Sequence, residues 1–125
     1  MLSKLFSKPE MVSVPWMHIS DISQLDEIDK RSVEKPVVLF KHSTRCSISA
    51  MSLSRFERSY EEESVFDSYF LDLIAYREIS NAIAERYGVR HESPQTILIK
   101  NGKAVFDASH MGISYSDLNS QAQKF

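Results

Sequence analysis

Short unbroken apolar runs alternate along this chain with stretches in which apolar residues recur every three or four positions. The first kind reads as strand covered on both faces, the second as helix with one buried stripe. "WMHIS" (16–20) is a short strand candidate. "SDISQLDEIDKRS" carries Ile22, Leu25 and Ile28 at helical spacing, with Ser20 or Asp21 placed to cap it. "KPVVLFKH" is a β-branched apolar run opened by Pro36. Beyond it Ile48, Met51, Leu53, Phe56 and Tyr60 approximate one helical face, and "SYEEES" ends that helix. Phe66 to Ile74 forms the next buried strand candidate. "YREISNAIAERYG" predicts a helix with Ile79, Ile83 and Tyr87 on one face and Gly88 at the position after its end. "TILIK" and "KAVFDA" flank "NG", a strong short-range hairpin signal. "SYSDLNSQAQKF" reads as a polar terminal helix capped by Ser114 or Ser116.

The predicted order is β-α-β-α-β-α-β-β-α. Alternation in the first half implies parallel strands with right-handed crossovers, and the hairpin adds antiparallel ones. The expected fold class is α/β, a three-layer α/β/α sandwich around a central mixed sheet. With 125 residues there is room for one domain, expected over 16–125, behind a flexible arm at 1–15.

Composition narrows the function. Hydrophobic residues make up 42% and charged ones 26%, which suits a folded core rather than disorder. A net charge of −2, with no basic stripe among aromatics, argues against nucleic acid as a partner. No apolar run is long enough for a signal peptide or a membrane span. A single cysteine makes no internal disulfide, so a cytoplasmic location is expected. It is also too few for a cysteine-rich zinc site, and the four histidines, at 18, 42, 91 and 110, show no ligand spacing, so no metal is expected.

That cysteine sits in "KHSTRCSISAMS", between the end of a strand and the start of a helix. A thiol reacts as its thiolate. Unpaired N–H groups and the positive dipole end of a helix start favour an anion. Lys41, His42 and Arg45 add positive charge nearby. Ser43, Thr44, Ser47 and Ser49 are potential donors to the sulfur, Ser49 the most specific because it lies one turn along the same helix. Against this stands simple packing, since free cysteines are often buried and inert. Arg45 and Lys41 also read as ordinary solvated charges, and Ser43 or Thr44 as caps. In "ESPQTILIK", Pro94 reads either as a strand starter or as a cis proline facing the reactive loop.

A strand running into a Cys-x-x-Ser helix start, followed by Gly-Val-Arg, a Pro before a strand and "KNG", resembles the thioredoxin superfamily. More closely, "VVLFKHSTRCSIS" and "HESPQTILIKNGKAVFDASH" resemble the YtxJ family, the monothiol bacilliredoxins. That family follows its "KHS" strand end with T-C-P-I-S. Here Arg45 stands for the usual Thr and Ser47 for the Pro, a change expected to alter the helix start. The resemblance covers most of the chain from Trp16 onward. It implies a thioredoxin-like fold, with Cys46 as nucleophile and Ser49 where dithiol relatives carry a resolving cysteine. It places Ser93 and Pro94 in the loop that pairs with the substrate. It also implies bacillithiol as thiol cosubstrate, no tightly bound cofactor, and S-thiolated proteins as partners.

One thiol cannot close an internal disulfide after attack, so it must hold a mixed disulfide until an external thiol releases it. The residues alone leave bacillithiol, glutathione and coenzyme A open as that thiol, with Arg45 and Lys41 as candidate carboxylate holders. A redox-inactive thioredoxin-fold binding module is the alternative reading. An iron–sulfur carrier of the monothiol glutaredoxin kind would want C-G-F-S where this chain has "CSIS". A Cys–His hydrolase using His42, His91 or His110 has no pattern to orient the histidine.

Overall fold

The structure is a computed structural model that describes residues 13–125. The element order is β1 (Met17–His18), α1 (Gln24–Glu34), β2 (Val37–His42), α2 (Ser47–Ser59), β3 (Asp67–Asp72), α3 (Arg77–Tyr87), β4 (Gln95–Lys100), β5 (Lys103–Ser109), a 3-10 turn (His110–Gly112) and α4 (Tyr115–Ala122). This is the order that the apolar pattern predicts. The five strands form one sheet in the order β1-β3-β2-β4-β5. β1 and β2 run parallel to β3, whereas β4 runs antiparallel to both β2 and β5.

Two cores cover the two faces of the sheet. On one, Leu25 and Ile28 of α1 and Ile79 and Ile83 of α3 pack on Val37, Leu39, Tyr69, Leu71, Ile97 and Ile99. On the other, Phe56 of α2 and Tyr115 and Leu118 of α4 pack on Val38, Phe40 and Leu98. All six residues of β2 are buried, which is why its sequence is apolar without alternation. The result is the expected three-layer α/β/α sandwich.

Two turns show why particular residues are needed. Gly88 ends α3 at φ +64°, with its N–H on the Ala84 carbonyl, a left-handed cap that glycine enters at least cost. Asn101 (φ +53°) and Gly102 (φ +72°) make the two-residue hairpin turn between β4 and β5.

The structure corrects several expectations. α1 begins three residues after Asp21, with Ser23 at its N-cap, and Ile22 is exposed rather than on the buried stripe. Neither Ser20 nor Asp21 caps the helix. Instead the Gln24 side chain reaches back to accept their N–H groups at 2.7 and 2.9 Å. On α2, Ile48 and Met51 are 44% and 59% exposed, and the buried positions are Ser49, Ser52 and Phe56. α4 is less polar than expected, for Tyr115, Leu118 and Ala122 are buried. Its cap is Ser114, whose Oγ accepts the Asp117 N–H at 3.2 Å. Most of the expected arm, residues 1–12, lies outside the described residues. Of the remainder, Val14 packs against the α2 core.

Aromatic packing fixes α2 on the sheet. Trp16 stacks on Phe56 at 5.4 Å between centroids and meets Phe40 and Phe70 edge-on. Its indole N–H donates to Glu57 at 3.0 Å. The last turns of α2 are thereby held against β2 and β3.

Candidate functional site

β2 ends at His42, and the chain turns through Ser43, Thr44 and Arg45 into α2. Cys46 is the N-cap residue, in extended backbone at φ −114° and ψ 121°. Its carbonyl accepts the Ala50 N–H at 3.1 Å, and its own N–H donates to the Ser43 carbonyl at 3.2 Å. The thiol is free and partly exposed, and it makes no capping hydrogen bond. The first N–H groups of α2 have no helical acceptor, and its first turn carries no acidic residue. Thr44 and Arg45 are exposed beside it.

The Arg90–Gln95 loop enters at the same end of the sheet, because Lys41 and Gln95 are register partners across β2 and β4. Within that loop the Ser93–Pro94 bond is cis, Pro94 is buried, and the Ser93 hydroxyl is buried without a hydrogen-bond partner. Two bonds tie the loop to α2. The His110 N–H donates to the Pro94 carbonyl at 3.0 Å, and Ser52 Oγ donates to the His110 carbonyl at 3.1 Å. His110 takes φ +56° to make this bridge. Sequence reasoning did not single out Ser52 or the backbone of His110, since neither carries a motif signal.

Ser49 is fully buried. Its hydroxyl does not turn to the sulfur as expected. It lies 2.7 Å from Nδ1 of His42 and accepts the Ser43 N–H at 3.0 Å. Ser49 therefore fixes the turn that delivers Cys46. Burial pushes His42 below the usual histidine range, partly opposed by Asp72 and Glu57. Neutral His42 accepts the Ser49 proton that remains after the Ser43 bond is made.

Lys41 is the larger departure. As a candidate holder of a solvent carboxylate it is excluded, because it is fully buried. Strand alternation sends it to the α1–α3 side of the sheet, away from α2. Its Nζ donates to the Ser80 carbonyl at 3.2 Å and lies 3.4 Å from Nδ1 of His91. Burial lowers it to about 8. Of the two basic side chains proposed for that role, only Arg45 reaches solvent. The continuous burial of "VVLFKH" carried the signal, since a strand covered on both faces buries its fifth residue too.

The chain matches the family described as monothiol bacilliredoxin BrxC over residues 17–118. Among solved structures it is similar to a putative oxidoreductase with a thioredoxin fold at 33% identity and TM-score 0.74, over 86% of this chain and 93% of that one. It also resembles Malassezia sympodialis thioredoxin at 19% identity and TM-score 0.69, over 95% and 96% of the two chains. Schistosoma mansoni thioredoxin follows at 21% and 0.65, over 88% and 94%. The last two share the fold, and the first adds an oxidoreductase likeness. The chain belongs to the monothiol bacilliredoxin family, a thioredoxin-fold line with the character of thiol–disulfide oxidoreductases.

Proposed function

We propose that this protein removes a low-molecular-weight thiol, bacillithiol, from mixed disulfides on client proteins, with Cys46 as the attacking thiol. The observation that carries the reading is the place of Cys46. It is the chain's single cysteine, partly exposed at the N-cap of α2, at the sheet end shared with the Ser93–Pro94 loop. An anion there is met by unpaired helix N–H groups and the positive dipole end.

The chemistry is one exchange. The Cys46 thiolate attacks the bacillithiol sulfur of the client's mixed disulfide. A new S–S bond forms to Cys46, the old one breaks, and the client cysteine leaves as thiolate with the electron pair. No second cysteine resolves this adduct, so an external thiol attacks it, takes the bacillithiol as a disulfide and returns Cys46 to thiolate. Thr44 and Arg45 line the approach from solvent, where Arg45 meets a carboxylate of the small thiol. Backbone groups of Ser93 and Pro94 pair with the client, and Ser49 supports the turn from behind. The partners are S-thiolated proteins in a reducing cytoplasm, and no tightly bound cofactor takes part.

The test is a client peptide carrying a bacillithiol mixed disulfide, mixed with the reduced protein and followed by intact mass. The expected result is release of the free peptide and a bacillithiol adduct on the protein, both lost in Cys46→Ser. A peptide that keeps its adduct in the presence of the wild type would overturn the reading and leave a thioredoxin-fold binding module. Equal release from glutathione and bacillithiol adducts would remove the assignment of the small thiol alone.

A further inference from the structure

Lys41 is a fully buried cation that no carboxylate reaches among the described residues. Burying an unpaired charge is costly, and an apolar side chain of similar volume would fill the same space. Packing therefore does not account for a lysine here. What the amine touches does suggest a use. One contact is the Ser80 carbonyl on α3, and the other is Nδ1 of His91, at 3.4 Å. The Ser80 hydroxyl lies 3.4 Å from the same nitrogen. His91 belongs to the loop that ends in Ser93 and Pro94. The other anchors of that loop come from Gln95, whose Nε2 donates to the Arg90 carbonyl at 2.8 Å, and from His110, which holds the Pro94 carbonyl. Gln95 stands opposite Lys41 in the β2–β4 register, and its buried Oε1 has no partner.

We propose that Lys41 is a positioning residue for the redox reaction: from inside the fold it fixes His91, and through His91 the Arg90–Gln95 loop, in the shape that receives the client beside Cys46. The inference rests on Cys46 being the reacting thiol. Nδ1 of His91 accepts a proton donor only while the ring is neutral with its hydrogen on Nε2. Burial, then Lys41, then Arg77 of α3 push His91 below its ordinary range, and only Glu92 opposes them. Arg90 and His110 approach Glu92 from the solvent side, at 4.0 and 3.5 Å. The clamp thus needs a neutral His91 and is strongest with a charged Lys41. Acid removes it by protonating His91 against Lys41 and Arg77. Alkali weakens it when Lys41 loses its proton near pH 8, because the neutral amine still donates but without its charge.

The experiment is single-turnover exchange by the full chain with the bacillithiol-adduct peptide, as a function of peptide concentration and pH. Cys46 alkylation by iodoacetamide, which needs no client loop, is measured alongside. Lys41→Met is expected to raise the half-saturating peptide concentration roughly tenfold, the worth of one charge-assisted hydrogen bond. The saturated rate and the alkylation rate stay near wild type. His91→Leu does the same, whereas His91→Gln, which keeps an acceptor, retains capture and loses the fall in acid. If Lys41→Met does not fold, the His91 pair decides. Unchanged half-saturation in the folded variants, with Cys46→Ser inactive, would overturn the clamp and leave the redox reading intact. Exchange by Cys46→Ser at the wild-type rate would overturn both.

Discussion

Nδ1 of His42 lies 2.7 Å from the hydroxyl of Ser49, and that hydroxyl also receives the Ser43 N–H. One buried side chain thus ties the last residue of β2 and the first residue of the reactive turn to the second residue after Ile48's neighbour Ser47, within the first turn of α2. In this Cys-x-x-Ser turn, Ser49 acts as a clamp on the backbone. Ser49→Ala leaves a buried N–H and an imidazole nitrogen without their partner. The expected cost is about 1–3 kcal/mol, read as a lower urea midpoint with an unchanged slope. Loss of less than about 0.5 kcal/mol would mean that the turn is held by other contacts.

His42, together with His91, sets a pH dependence. Burial lowers both His42 and His91, so the folded state binds fewer protons than the unfolded chain between each lowered value and the ordinary 6.5. Stability rises with pH wherever the unfolded state holds the extra protons. The contribution is therefore complete above about pH 6.5 and is lost as pH falls through that window. Urea midpoints are expected to drop as pH is lowered from neutrality, and the drop is expected to be shallower in His42→Phe. Parallel curves for the two proteins would assign the slope to other groups.

Lys41 works in the other half of the pH scale with the same sign. Its folded value of about 8 lies below the ordinary 10.5, so stability is regained as pH rises between them. The difference corresponds to about 3 kcal/mol withheld at neutral pH. Lys41→Met is expected to be more stable than the wild type at pH 7, by about 1–3 kcal/mol, with that gain shrinking towards pH 10. A gain in stability with poorer client capture would separate the function of this residue from folding. A less stable variant would show that the Ser80 and His91 contacts outweigh the burial.

Much of this was legible in the sequence because each signal rests on local geometry. The "NG" pair requires two residues at positive φ, and Asn101 and Gly102 supply them. Gly88 stands where a left-handed cap belongs, and "VVLF" is apolar throughout because both faces of β2 are covered. Cys46 at a strand-to-helix junction follows from the change of period alone. The rest depends on partners far along the chain. Strand alternation puts Lys41 and His42 on opposite faces, but nothing in "KHS" tells that His91 waits on one face and Ser49 on the other until the sheet order is known. Ser52 and His110 meet only because the 3-10 turn passes over α2. At α1, Ile22 fits the helical period yet lies before the first turn, so the period alone points to a cap two or three residues too early.

α2 offers the sharpest contrast between apolar pattern and packing. Met51 belongs to the predicted buried face, but the stacking of Trp16 on Phe56 and the Trp16 bond to Glu57 rotate the helix so that Ser49, Ser52 and Phe56 face inward. Small hydroxyl residues suit that face near the site, where the helix start approaches the turn and His110. Phe56→Ala is expected to cost about 3–5 kcal/mol, since the ring fills a space bounded by Trp16, Phe40, Phe66 and Tyr115. Met51→Gln is expected to stay within about 0.5 kcal/mol of the wild type, because its side chain already meets water. Denaturant unfolding of the two variants checks the rotation of α2 directly. Similar losses at both positions would place Met51 in the core and turn the exposed face of the helix away from the one described.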